Sequence, residues 1–317
     1  MRSITYRFKS DCKGIWSRGY LLTRGGVSIM YIQKRFSLTD TIIYLMLGLS
    51  ALIIILPLWR ILIISISSQE VYLTDHYHLI PKSFSLTEYK RALGSIGGIV
   101  RALLRSVEIT ALGTTISMIL TSCGAYALSK KDLPGRAMLF RLIVFTMFFS
   151  GGLVPFYVLV KNLHLIDTIW ALVLPTAIST YNLIIMKNYF ASIPPSLEEA
   201  ARIDGYNDIQ ILFKIIIPIS KPVFAAISLF YGVALWNDYF LATLFINSND
   251  MFPLQVLLRQ MIIQDMVTAE VGVMTSGSNM EQFKMACIIV GMIPVLIIYP
   301  FIQRYFTKGI MMGAVKE

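Results

Sequence analysis

Six long apolar blocks constrain the fold of this 317-residue chain more than any other feature of its sequence. A helix needs about 20 mainly apolar residues to cross the hydrocarbon layer of a membrane. Only 15% of the residues are charged, against roughly 25% in ordinary soluble domains. The sequence therefore predicts an all-α, polytopic membrane protein with six transmembrane helices. The blocks are residues 41–65, 109–129, 142–160, 169–186, 223–246 and 285–303.

Lysine and arginine residues predict which side of the membrane each loop faces, because cytoplasmic loops carry an excess of them. With a cytoplasmic N-terminus, 18 of the 28 lysines and arginines fall in cytoplasmic segments and 8 in outer segments. Both termini are therefore expected in the cytoplasm. We attribute the net charge of +10 to this asymmetry and not to nucleic-acid binding.

The blocks divide the chain into three predicted regions. Residues 1–40 form a basic cytoplasmic tail, in which 1–29 are either disordered or an extension before a start at Met30. The tail has no long apolar run, so it is neither a signal peptide nor a span. Residues 41–308 form the six-span domain, and 309–317 a cytoplasmic C-terminal tail.

The cysteines and histidines predict no metal site. The three cysteines lack CxxC spacing, and the three histidines lack a ligand pattern. His76 and His78 form an HxH pair that could bind a metal, with a loop-surface role as the alternative.

The segment 196–222, between the fourth and fifth blocks, predicts a helical hairpin. Ser196 can cap a helix, and Glu199 three residues later predicts a capping box. Gly205 supplies the left-handed residue that ends a helix, and residues 208–217 predict a second helix. A hairpin could simply connect two spans, but connection needs far fewer than the 36 residues between the blocks. The excess favours a docking element.

The same segment resembles the EAA motif of the membrane subunits of binding-protein-dependent ABC importers. It departs at Tyr206, where alanine is common, and at Ile217, where leucine often precedes the proline. The resemblance implies a cytoplasmic coupling helix that contacts a separate ATPase through Glu199, Ala200, Ala201, Asp204 and Gly205. The motif residues are these five with Phe213, Ile215, Pro218 and Pro222.

Other elements resemble the carbohydrate-importing branch of that family, in particular the second permease of maltose-type importers. They are residues 125–129 with 135–136, the Trp-Asn-Asp element at 236–238, and the segments 150–155 and 253–255. The resemblance implies a permease for oligosaccharides or polysaccharide fragments in a bacterial cytoplasmic (inner) membrane. The implied partners are a second permease subunit, two copies of a cytoplasmic ATPase that binds ATP and Mg, an extracytoplasmic solute-binding protein, membrane lipid and the carbohydrate. No cofactor is expected in this chain.

Polar residues and helix breaks inside the blocks are candidates for the substrate path, because polar groups in a membrane are costly unless they face a cavity or partner. Amide and carboxylate groups can bind sugar hydroxyls, and aromatic faces can stack on the rings. Trp236 could instead serve packing, and the Gly151-Gly152 break could be a hinge. The candidates are Asn182, Trp236, Asn237, Asp238, Tyr239, Gly151 and Gly152.

Three other functions are alternatives to that of a carbohydrate importer subunit. An ion-driven secondary transporter should show inverted repeats and buried carboxylates, but only Asp238 qualifies and no repeat is visible. A membrane enzyme would need a Ser/His/Asp, HExxH or metal cluster. An ABC importer for a non-sugar solute would share the EAA motif. The chain has no GxxxxGK[ST] phosphate loop, so we expect no enzyme activity here and ATP on another polypeptide.

Overall fold

The computed structural model describes residues 38–74, 79–94, 98–270 and 279–313, and the regular structure in these ranges is helical. This confirms the all-α class. A π-helical segment (Leu212–Ile216) and a 3₁₀ turn (Asn249–Met251) accompany the α-helices. These are α1 (Leu38–Ile66), α2 (Gln69–Thr74), α3 (Thr87–Leu93), α4 (Ile99–Ser129), α5 (Arg136–Phe148), α6 (Leu153–Asn162), α7 (Trp170–Val173), α8 (Thr180–Ala191), α9 (Pro195–Ile203), α10 (Asp208–Ile211), α11 (Ile217–Ile219), α12 (Lys221–Asn237), α13 (Phe240–Phe245), α14 (Leu254–Glu270) and α15 (Asn279–Gly313).

The chain divides into two compact units after Arg60. Among the described residues, the first unit consists of α1 as far as Arg60, and the second holds the rest. The predicted tail 1–40 lies outside the described residues except for its last three. The HxH pair at 76 and 78 and the last four residues of the chain lie outside them too.

Three described helices are long and apolar enough to cross a membrane, namely α1, α4 and α15. Two bent pairs pass the same test, α5 with α6 at 115° and the helical segment 208–219 with α12 at 91°, which gives up to five spans. The count of six spans stays a prediction, because the blocks 142–160, 169–186 and 223–246 are interrupted. The break between α5 and α6, at Gly151-Gly152, lies where the sequence placed one.

Each interruption has a local cause. Between α5 and α6, Gly152 adopts a φ of +87°, which favours glycine. Between α7 and α8, Pro175 follows the end of the short helix, since proline cannot continue the hydrogen-bond ladder. Between α12 and α13, the Asp238 carboxylate accepts a hydrogen bond from the Leu241 amide at 3.1 Å and so caps a new helix. The breaks therefore follow from single residues.

Helix α4 is the axis of the second unit, because residues along its length enter all three hydrophobic clusters. It packs against α7, α8, α12 and α14. Hydrogen bonds of one tyrosine join α4, α8 and α12. The hydroxyl of Tyr231 in α12, a residue that is 3% exposed, shares a 2.7 Å hydrogen bond with the hydroxyl of Thr121 in α4. The Tyr231 hydroxyl also accepts a 2.9 Å bond from the amide of Ser179, which precedes α8.

Helix α14 was not predicted, because it lies between the last two apolar blocks, 223–246 and 285–303. Leucines nevertheless recur at helical spacing from Leu254. The amide of Leu254 donates to Ser106 Oγ at 2.8 Å, which fixes the start of α14 against α4.

Tyr231→Phe should lower the free energy of unfolding by about 1–3 kcal/mol, because the Ser179 amide and the buried Thr121 hydroxyl lose a shared partner. Denaturant unfolding of the detergent-solubilised protein would measure this. Tyr181→Phe is the matched control, since Tyr181 is exposed and should change little. Equal effects of the two substitutions would contradict the role of the Tyr231 hydroxyl.

Candidate functional site

The segment 195–219 forms a helical hairpin, as predicted. Helix α9 ends in a Schellman motif: the Tyr206 amide donates to the Ala201 carbonyl, and the Gly205 amide to that of Arg202, both at 3.0 Å. Gly205 has a φ of +84°, so the predicted left-handed stop is confirmed. The chain then enters α10, the π-helical segment and α11.

The predicted capping box at Ser196 and Glu199 is wrong. Helix α9 starts at Pro195, with Pro194 in the cap position and no side-chain cap bond, so Ser196 already lies inside the helix. Proline suits the first helical position because its φ is helical and it needs no partner for an N–H. A capping box forms instead between Asn207 and Gln210, with bonds of 2.8 and 3.1 Å, and starts α10.

The hairpin rests on the bundle through its inner face. Ala201 is 3% exposed, and Ile211, Leu212 and Ile216 are buried beside it. They belong to one cluster with residues of three bundle helices, namely Tyr126 of α4, Met186 and Phe190 of α8, and Ile227 of α12. The small alanine thus lets α9 lie directly on this cluster.

An ion pair adds a polar attachment. Lys130, the residue that ends α4, pairs with Glu198 of α9, and both side chains are largely shielded from solvent. The Lys130 ammonium also lies 4.0 Å from the centre of the Tyr126 ring. Burial lowers the pKa of Lys130, and the charge of Asp208 raises it in part. Because burial removes hydration from both charges, we assign this pair the role of positioning α9 against the end of α4 and no net gain in stability.

The outer face of the hairpin carries exposed apolar side chains. Ile203 is 87% exposed and Ile209 69%, with Leu197 and Phe213 less so. The predicted contact residues Glu199, Ala200, Asp204 and Gly205 are also exposed, whereas Ala201 is buried. Apolar surface of this kind, with acidic residues beside it, suits a protein-docking site.

The seven candidate path residues do not form one site. Asn182 lines an open groove of about 560 Å³ between α8 and α12, which we call the Asn182 groove. Thr176, Ser179, Tyr181 and Phe230 line it too. Sequence reasoning missed Tyr181 and Phe230, although exposed aromatics beside an intramembrane amide were a usable signal.

The other candidates lie elsewhere. Trp236 is buried in a cluster with Leu254 and Phe283, and Asn237 donates to its own helix at 3.0 Å. Both also line a groove of about 280 Å³ against α15. Asp238 borders a cavity of about 10 Å³, about the space of one water.

Tyr239 and the glycine pair complete the set. The guanidinium of Arg259 lies 4.0 Å from the centre of the Tyr239 ring. Gly151 and Gly152 form the exposed break between α5 and α6.

Comparison with known proteins identifies the chain. Residues 33–312 match the family described as "Binding-protein-dependent transport system inner membrane component". The chain belongs to this family of ABC importer permeases. The resemblance inferred from the EAA motif is thereby confirmed.

Three relatives illustrate how similar this permease is to known proteins. It is 48% identical, over 88% of its length and 98% of the relative, to the polygalacturonan/rhamnogalacturonan transport system permease protein YtcP of Bacillus subtilis. It is 40% identical to protein LplC of the same organism, over 92% and 99%. A crystal structure of a bacterial ABC transporter involved in import of the acidic polysaccharide alginate matches with a TM-score of 0.77 and 35% identity, covering 86% of this chain and all of that one.

Substitutions at Gly205 should weaken the hairpin in the order Asn, Ala, Val. A left-handed residue other than glycine costs roughly 1–2 kcal/mol, and asparagine tolerates that conformation best. Hydrogen exchange of the Gly205 and Tyr206 amides would measure the loss. Gly48→Ala is the control, since Gly48 has no positive φ and open space around its Cα. Equal protection in all the variants would contradict the Schellman stop.

Proposed function

We propose that this permease is one membrane subunit of an ATP-driven importer for oligosaccharides or polysaccharide fragments, and that the 195–219 hairpin is its cytoplasmic coupling element. The observation that carries the docking role is the group of exposed apolar side chains on the outer face, since several such side chains on one surface element mark a site of protein interaction. The relatives named for polygalacturonan, rhamnogalacturonan and alginate support a carbohydrate cargo.

In this proposal each broken block counts as one span. The six spans are then α1, α4, α5 with α6, α7 with α8, α12 with α13, and α15. The hairpin lies between the fourth and fifth spans, and both termini face the cytoplasm. Broken helices are tolerated in a membrane where protein or a cavity covers the free backbone groups.

Two connections would carry movement of the hairpin into the bundle. The Lys130–Glu198 pair links α9 to the end of α4. The helical segment 208–219 leads into α12 through a 91° bend at Ser220. A push on the outer face would therefore reach α4 and α12, which pack against each other.

The partners follow from this role. A second permease subunit would complete the transport path, and two copies of a cytoplasmic ATPase would bind ATP and Mg. An extracytoplasmic solute-binding protein would deliver the carbohydrate. The multi-pass chain would lie in the cytoplasmic (inner) membrane and would not itself hydrolyse ATP.

For the substrate path we favour the Asn182 groove over the residues 236–239. Asn182 offers an amide, and Tyr181 and Phe230 offer exposed aromatic faces. The hydroxyls of Thr176 and Ser179 line the groove as well, although each also has a hydrogen bond within the chain. A carbohydrate needs both kinds of contact. Trp236, Asn237, Asp238 and Tyr239 already have partners within the chain.

Ile203→Glu should weaken docking without unfolding the permease, because the side chain is exposed. Loss of a buried isoleucine contact predicts roughly tenfold or more weaker ATPase binding. Co-purification of the ATPase with the assembled importer would measure this. Ile80→Glu is the control, since Ile80 is 69% exposed outside the hairpin. Unchanged co-purification of the Ile203 variant would refute the coupling role.

Asn182→Ala and Phe230→Ala should each lower the rate of carbohydrate transport by about tenfold. The first substitution removes one polar contact to the carbohydrate and the second removes one stacking contact. ATPase co-purification should be unchanged. Uptake into proteoliposomes containing the complete importer measures transport. Phe84→Ala removes an exposed aromatic outside the groove and serves as the control. Normal uptake by both groove variants would exclude the Asn182 groove as the path.

A further inference from the structure

A groove lined by four cationic side chains lies beside the start of α5 and the end of α8. It is open and has a volume of about 650 Å³. The cations are Lys131, Arg136, Arg141 and Lys187. In the described part of the chain, no acidic residue lines this cationic groove, and none of its four cations forms an ion pair. Asp132, the acid nearest in sequence, is exposed and outside the lining.

Three of the four cationic side chains have partners within the chain. The Nε groups of Arg136 and Arg141 donate to backbone carbonyl oxygens at 2.8 and 3.2 Å. The ammonium of Lys187 lies 4.4 Å from the centre of the Phe140 ring. A ligand would therefore lose little affinity to ordering these groups. Four like charges in one groove also repel each other, so an anion would stabilise the arrangement.

The chemistry of the lining indicates which anion fits. Its polar side chains are all hydrogen-bond donors, whereas sugar hydroxyls need acceptors as well. A phosphodiester only accepts, and guanidinium groups match it well. Met138 in the groove is 63% exposed, and Leu139 and Leu142 on the same helix are exposed too. This apolar surface suits acyl chains and would give no benefit to free phosphate.

We propose that the cationic groove binds the phosphodiester headgroup of an anionic phospholipid, with the acyl chains along α5. The proposal rests on the orientation proposed above, which puts the turn between α4 and α5 at the cytoplasmic surface. Basic pockets between membrane helices on that side are suited to anionic headgroups.

The test compares lipid retention by the assembled importer. Three forms of the permease are compared: wild type, the groove variant Lys131→Gln/Lys187→Gln, and the matched control Lys161→Gln/Lys221→Gln. Each is equilibrated with mixed phosphatidylglycerol and phosphatidylcholine micelles, and native mass spectrometry counts the lipid that it retains. Both control lysines are exposed and outside the groove. A surface lysine is worth about fivefold in anionic lipid binding. The groove variant should therefore lose roughly ten- to thirtyfold of the phosphatidylglycerol preference, and the control clearly less, because its two lysines do not lie together in one groove.

Retention of the preference by the groove variant, or an equal loss in the control, would overturn the proposal. Displacement of phosphatidylglycerol by millimolar inorganic phosphate or by a carboxylated oligosaccharide would also overturn it, because the groove would then serve a soluble anion. ATPase co-purification is recorded in parallel. The cationic groove and the outer face share no residue, so a failure of docking and a failure of lipid binding are distinguishable.

Discussion

The packing of helix α4 through the whole second unit is the interaction on which the rest of this structure depends. Its first turns meet α14 and α15 in one cluster, its middle meets α7 and α13 in another, and its last turns meet α8, α12 and the hairpin in a third. Tyr231 ties the last of these together with two hydrogen bonds. Since α8 and α12 each cover only part of an interrupted apolar block, their positions follow from packing on α4 and not from their own length.

A membrane allows a helix to break only where something else satisfies the backbone. The structure meets this condition locally. The Asp238 carboxylate caps α13, and the Tyr231 hydroxyl accepts from the Ser179 amide just before α8. In the sequence Asp238 has the appearance of a substrate ligand, because a polar residue in an apolar block looks the same in either role. Its contact within the chain separates it from Asn182, a buried residue that lines a groove.

Features that depend on neighbouring residues in the sequence were predicted well, and features that depend on contacts between distant segments were not. The apolar blocks and the glycine stop at Gly205 depend on composition and local conformation, and both were predictable. The capping box was misplaced because Ser196-x-x-Glu199 and Asn207-x-x-Gln210 are similar local signals, and the proline at 195 decided between them. Helix α14 and the clustering of Asn182 with Phe230 depend on contacts between distant segments, which periodicity does not encode.

The turn between α4 and α5 connects the hairpin with the cationic groove. Lys130 points its ammonium at Glu198 and the Tyr126 ring, while Lys131, the next residue, lines the cationic groove. Adjacent residues therefore serve the hairpin on one side and the groove on the other. If the ATPase moves the hairpin, Lys130 carries that movement into the turn that also positions Arg136. A lipid held by Arg136 and Lys131 would then resist displacement of this turn, so the bundle would pivot against the cytoplasmic leaflet instead of sliding along it.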